Sequence, residues 1–144
     1  MKRIFGIVAL AALALSGCKE KPVLNVTDAS VRLPAVPRGP AAAYFTVHGG
    51  PVADRLIEVT SENAIRAEMH ESMASGGMAS MKPITSGVVI PAKATVAFES
   101  GGKHVMFFDV NPALQPPRTM PMTFIFASGN RIVANATLIR PGEQ

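Results

Sequence analysis

Methionine and histidine are concentrated in two parts of this chain. Residues 69–81 hold four of the eight methionines and one of the three histidines, and His104 and Met106 follow about twenty residues later. Neither part contains cysteine. Thioether sulfur is a soft ligand that suits Cu(I), and imidazole suits several metals, copper among them. These residue types therefore favour a site for a soft metal ion over an ordinary hydrophobic core.

The same donor types argue against other metals. A set of imidazoles and thioethers carries no formal charge, whereas Ca2+ and Mg2+ bind mainly through oxygen ligands such as carboxylates. Zinc is usually held by cysteine, histidine or carboxylate ligands, and a blue-copper centre requires a cysteine thiolate. The donor types thus predict Cu(I), held without a thiol that could oxidise.

Short strands must position these donors. Turn residues separate segments with the alternation or β-branched content of strands, and no segment is convincingly helical. The predicted strands are 23–33, 41–48, 54–60, 64–70, 87–90, 94–99, 104–110, 122–127 and 131–140. Eight or nine short strands with a turn every eight to twelve residues predict an all-β fold, an antiparallel β-sandwich or barrel.

Strand alternation gives the expected direction of the donors. In the strand ending at residue 70, Met69 falls on the core face, whereas Arg66, Glu68 and His70 share the wetter face. If neighbouring strands alternate in direction, His70 and His104 lie at the same end of the sandwich. Period-two alternation also places His104 and Met106 on one face. Residues 71–83 show no strand or helix period, so we expect a binding loop there.

The N-terminus has the features of a bacterial secretory signal. Lys2 and Arg3 precede an apolar run over residues 4–15 that is too short to span a bilayer. The ending Leu15-Ser16-Gly17-Cys18 resembles a lipoprotein lipobox. We therefore expect a signal peptide at residues 1–17, lipid on Cys18, a tether over 18–22 and one domain over 23–144, anchored to a membrane on the periplasmic or extracytoplasmic side.

Composition excludes several functions. Removing the two signal-peptide cations lowers the formal charge from +4 to +2, and no basic patch supports nucleic-acid binding. Lipidation of Cys18 would leave no free thiol and no disulfide. The chain has no nucleophile elbow, zinc-protease motif or phosphate-binding loop. We expect a monomer that is not an enzyme.

The order and spacing of the donors resemble a known family. His70, ten residues, Met81, twenty-two residues and then His104-x-Met106 are similar to the motif H-x10-M-x21-H-x-M of the periplasmic copper chaperones called PCu(A)C. The flanking residues are similar too: Met81-Lys82-Pro83-Ile84, Ile90-Pro91-Ala92 and Gly101-Gly102-Lys103-His104-Val105-Met106. The resemblance covers nearly the whole mature domain. It departs in one extra residue of spacing and in Lys103, where the family often has an aromatic residue.

The resemblance implies a cupredoxin-like sandwich that binds Cu(I) and passes it to another protein. The implied ligands are His70, Met81, His104 and Met106. The implied acceptor is the CuA centre in subunit II of cytochrome c oxidase, often alongside a Sco-type protein. Met73 and Met78 are auxiliary candidates that would catch or hand over copper, and His48 lies outside the motif as an expected turn histidine.

A second function belongs to a different class. A lipid-anchored sandwich could serve as an adhesion or envelope assembly module in which the methionines only pack. Such a module would bind no metal, so a Cu(I) competition assay separates the two hypotheses.

Overall fold

The computed structural model describes residues 20–143, which form ten β-strands. The strands are β1 (Asn25–Arg32), β2 (Ala41–His48), β3 (Asp54–Thr60), β4 (Arg66–Ser75), β5 (Met78–Pro83), β6 (Val88–Ile90), β7 (Thr95–Phe98), β8 (Lys103–Phe108), β9 (Thr119–Phe126) and β10 (Arg131–Ile139). Within residues 20–143 no helix is long and apolar enough to cross a membrane. The predicted signal peptide and Cys18 lie outside the described residues.

The strands form one continuous sheet that folds over on itself. Their order is β5-β4-β8-β2-β1-β10-β9-β3-β6, and β7 pairs with β2 beyond the end of β8. Every pair is antiparallel except β1 with β10, which are parallel. Phe45 of β2 nevertheless meets Phe124 of β9 edge-on, with ring centroids 4.7 Å apart, although two strands separate β2 from β9 in the sheet. The predicted β-sandwich is therefore confirmed.

Alternation of apolar residues builds the core between the two halves of this sandwich. In β2, alternate residues are fully or almost fully buried while their neighbours are partly exposed. Phe45 also stacks on Phe98 of β7, with centroids 4.3 Å apart. Burying each large apolar side chain contributes about 1.5–3 kcal/mol. Buried aliphatic and aromatic residues of both halves complete the core: Val31, Ala43, Val47, Leu56, Ile90, Val105, Phe107, Met120, Met122, Phe126, Ala136 and Leu138.

The loop predicted for residues 71–83 is wrong, because this segment is a β-hairpin. β4 runs on to Ser75, which pairs with Met78 at the start of β5. Gly76 and Gly77 form the turn with φ of +58° and +79°. Two successive residues at positive φ fit a two-residue hairpin turn whose twist matches its strands. This hairpin raises the number of strands from the expected eight or nine to ten.

A carboxylate ties the start of β3 to the turn between β9 and β10. Asp54 accepts a hydrogen bond from the Ser128 hydroxyl at 2.5 Å and from the Ser128 backbone N–H at 3.1 Å. Burial raises the pKa of Asp54, but the bonds from Ser128 and from the backbone N–H of Arg55 together outweigh it and hold the pKa below its ordinary value. The ionised carboxylate therefore stabilises this corner of the sandwich.

Candidate metal centre

The pairing of β4 with β8 sets the two motif histidines side by side. His70 is directly opposite His104, and their ring centroids are 5.9 Å apart with the rings inclined at 73°. The preceding residue of β4, Met69, is paired with Val105, and both are buried. Since successive residues of a strand point to opposite faces, the histidines lie on the outer face of the sheet. His104 is nevertheless only 5% exposed.

The register places the two motif methionines on that same outer face. Met106 is directly opposite Glu68, two residues along from the histidine pair. Met81 of β5 is directly opposite Ser72, two residues from His70 in the other direction. Directly opposed residues share a face, so three adjacent strands present His70, Met81, His104 and Met106 on one surface. Met81 is 56% exposed and lies on the edge strand.

A backbone carbonyl determines which nitrogen of His104 is free. Nδ1 lies 3.0 Å from the carbonyl oxygen of Gly102, which also accepts the backbone N–H of Ser72 at 3.0 Å. Because a carbonyl only accepts, Nδ1 carries the proton, and Nε2 of the neutral ring has the lone pair. The Tyr44 ring lies 6.5 Å away, centroid to centroid. Nε2 is therefore the nitrogen of His104 that could bind a metal.

His70 contacts an acidic residue, Glu68, whose role the sequence did not indicate. Its Nε2 lies 3.1 Å from Oε2 of Glu68, and the guanidinium of Arg66 binds the other oxygen of Glu68. Arg66 in turn lies over the Phe108 ring, 3.9 Å from its centroid. The placement of Glu68 and His70 on one face was the available sequence signal, but it did not specify a contact. A carboxylate thus borders a donor set that was expected to be neutral.

The donor chemistry fits a soft ion better than a hard one. Within residues 20–143, no three His, Cys, Asp or Glu side chains are grouped so that they could hold a metal. The donors that share this face are two imidazoles and two thioethers, and thioether sulfur is a soft ligand that suits Cu(I).

The two auxiliary methionines lie on the other face of the hairpin. Met73 is opposite Ser80, and Met78 is opposite Ser75, so both are out of phase with His70 and Met81. They are 49% and 76% exposed. The structure does not bring them together with the four motif residues.

His48 and Lys103 are both engaged elsewhere. The His48 ring forms hydrogen bonds with the hydroxyls of Thr27 at 2.9 Å and Thr95 at 3.5 Å. His48 lies four residues beyond Tyr44 in β2, which is roughly 13 Å along the strand. Since the Tyr44 ring is the one near His104, His48 is far from the candidate centre. Lys103 forms an ion pair with Glu71 at 3.0 Å, on the face opposite the histidines. Its charge is therefore turned away from the candidate centre.

Comparison with protein families gives one match across most of the domain. The family described as "Putative lipoprotein LpqE-like" matches residues 24–138. A relative from Leifsonia xyli subsp. xyli (strain CTCB07), "Putative lipoprotein Lxx21020", is 27% identical over 136 residues, which cover 85% of this chain and 81% of that protein.

Solved structures share the architecture. The copper-bound PCuAC domain from PmoF2 aligns with a TM-score of 0.67 at 20% identity, over 82% of this chain and 93% of that one. The apo PCuAC domain from PmoF1 gives 0.68 at 24% identity, over 85% and 98%. The solution structure of CuI-DR1885 from Deinococcus radiodurans gives 0.64 at 25% identity, over 89% and 85%. These likenesses confirm the predicted PCu(A)C-type fold.

Proposed function

This chain belongs to the LpqE-like family, and from that premise we propose that it is a lipid-anchored copper chaperone that binds Cu(I) and delivers it to a partner protein. One observation carries the proposal. The register of β5, β4 and β8 gathers His70, Met81, His104 and Met106 on one face, although they are spread over 37 positions of the chain. Solved structures with the same fold are described as copper-bound.

The four side chains would supply two imidazole nitrogens and two thioether sulfurs. These soft and borderline donors suit Cu(I), and the burial of His104 keeps water from competing for its lone pair. Four protein donors would fill the coordination of the ion and leave no position for a substrate. The protein is accordingly proposed to be a carrier and not an enzyme.

The uneven burial of the donors suits release as well as binding. His70, His104 and Met106 lie on β4 and β8, which are paired on both sides. Met81 lies on β5, an edge strand in which every residue is exposed. A partner could displace this one thioether and take the ion while the other three donors still hold it. Copper would thus pass between proteins without being freed into water.

The strand directions support a position for the proposed anchor relative to the β4–β5 hairpin. β1 begins at Asn25, which pairs with His48 at the end of β2. Because β2 is antiparallel to β8, and β8 to β4, the start of β1 lies at the same end of the sandwich as the β4–β5 turn. A lipid on Cys18 would hold this end toward the membrane from the periplasmic side.

We propose the CuA centre of cytochrome c oxidase subunit II as the acceptor, with a Sco-type protein as a second partner.

Competition against a chromophoric Cu(I) chelator tests the proposal. The full chain in detergent should bind one Cu(I), and the double variant His104→Ala/Met106→Ala should lose that binding. His48→Ala is the matched control, since it removes a histidine whose ring bonds to Thr27 and Thr95. Undiminished binding in the double variant would remove the assignment of the site. No binding by the wild-type chain would favour an adhesion or envelope assembly module instead.

A further inference from the structure

The two ring nitrogens of His70 have different surroundings. Nε2 faces Oε2 of Glu68 at 3.1 Å, whereas Nδ1 is buried and has no hydrogen-bond partner among the described residues. Neutral imidazole carries its proton on one nitrogen and a lone pair on the other. A carboxylate only accepts, so the neutral ring of His70 has its proton on Nε2 and its lone pair on Nδ1.

The carboxylate that sets this tautomer is itself held in place. Arg66 binds the second oxygen of Glu68 and lies over the ring of Phe108. Arg66, Glu68 and His70 alternate along β4, so all three lie on the outer face. Glu68 is also directly opposite Met106, one of the proposed ligands. These contacts therefore fix the orientation of the His70 ring.

An acceptor that is buried without a partner is unusual in folded proteins, because it loses its bond to water and gains none in return. Such an atom is expected where something else binds. The buried lone pair of His70 Nδ1 belongs to a ring whose centroid is 5.9 Å from that of His104.

We propose that His70 binds Cu(I) through Nδ1 and that Glu68 is the positioning residue that presents this nitrogen, an inference that rests on the proposed function. His104, whose Nδ1 is taken by the Gly102 carbonyl, binds through Nε2. The two opposed imidazoles therefore use different nitrogens. A carboxylate behind a metal-binding histidine fixes its ring and makes the bare nitrogen a better donor.

Nitrogen-15 NMR of the imidazole rings in the full chain tests the geometry directly. Before copper is added, His70 should have a protonated Nε2 and a bare Nδ1, with its resonances assigned from their loss in His70→Gln. On addition of Cu(I), the large shift should fall on Nδ1 of His70 and on Nε2 of His104. A proton on Nδ1 of the metal-free ring, or a copper-induced shift centred on Nε2 of His70, overturns the inference.

Variants of Glu68 test its role. Glu68→Ala should mix the two His70 tautomers and weaken Cu(I) binding about 10- to 100-fold, the usual effect of losing a partner behind a metal ligand. In Glu68→Gln the amide oxygen can still accept from Nε2–H, so the tautomer and most of the affinity should return. Glu71→Ala is the matched control, since it removes a carboxylate from the other face of the same strand.

The outcomes separate this inference from the proposed function. Equal weakening in Glu68→Ala and Glu71→Ala would indicate a general effect of charge and overturn the positioning role. Binding of Cu(I) through Nε2 of His70 would overturn the inference while leaving the chaperone proposal intact. A wild-type chain that binds no Cu(I) would overturn both.

Discussion

Three methionines of the 69–81 stretch should respond to replacement in three different ways. Met69 is 7% exposed and packs in the core, so Met69→Ala should cost about 3 kcal/mol, within the usual range for a buried methionine. For a domain of this size that lowers Tm by roughly 12 °C. Met81 is 56% exposed, and leucine keeps its apolar character and nearly its volume. Met81→Leu should therefore change stability by less than about 0.5 kcal/mol.

For copper affinity the order of the two replacements should be reversed, so that the change at Met81 has the larger effect. Met81→Leu removes a sulfur donor, so we expect Cu(I) affinity to fall at least about tenfold, which is a loss of about 1.4 kcal/mol of binding free energy. Met78→Leu is the matched control. It removes a thioether that is 76% exposed on the same hairpin but on the opposite face. It should leave both Tm and affinity unchanged.

Both quantities can be measured on the same preparations, by thermal unfolding without copper and by chelator competition with Cu(I). If Met81→Leu lowers Tm as much as Met69→Ala does, the claim that only the buried Met69 stabilises the core is refuted. Equal weakening of copper binding by Met78→Leu and Met81→Leu would refute the claim that only the face holding Met81 binds copper.

Two further predictions concern stability. The lowered pKa of Asp54 means that its contribution is complete above the unfolded pKa of about 3.9 and is lost as pH falls through the lower folded value. Chemical unfolding should show that Asp54→Asn is less stable than the wild type at pH 7 and that this difference in unfolding free energy disappears in strong acid. A difference that stays constant with pH would contradict a stabilising role for the ionised carboxylate. Gly87 has a φ of +74°, and an added Cβ would lie 2.6 Å from the Leu56 carbonyl oxygen. Gly87→Ala should therefore lower the free energy of unfolding by more than the roughly 1–2 kcal/mol of left-handed strain alone. Gly129→Ala, which has open space around it, should lose only the free energy of that strain. Equal losses of stability in urea unfolding would exclude the clash at Gly87.

Most of the fold was predictable because one face of most strands is buried. Alternation in β2 and the turn residues between strands located the sandwich before any pairing was known. The same signal failed at residues 71–83, where β5 is exposed on both faces and no hydrophobic period exists. The Gly76-Gly77 pair was the one local sign of a hairpin. A projecting hairpin is thus hidden from any method that depends on hydrophobic alternation.

The candidate centre likewise has some properties that the sequence determined and others that it did not. The sequence by itself determined the donor types, the preference for a soft ion, the opposite faces of Met69 and His70, and the likeness to PCu(A)C proteins. These properties depend on side-chain chemistry and on neighbours within a few positions of the chain.

Only the tertiary structure decided how the donors meet. His70 and His104 are opposite each other because β4 and β8 pair in one register, and a slip of one residue would send one of them to the core face. The pairing of β5 likewise places Met81 on the face of the histidines and Met78 on the other face. The contact of Glu68 with His70 depends on side-chain directions as well. The register of paired strands comes from contacts between distant segments of the chain, and local sequence patterns do not specify it.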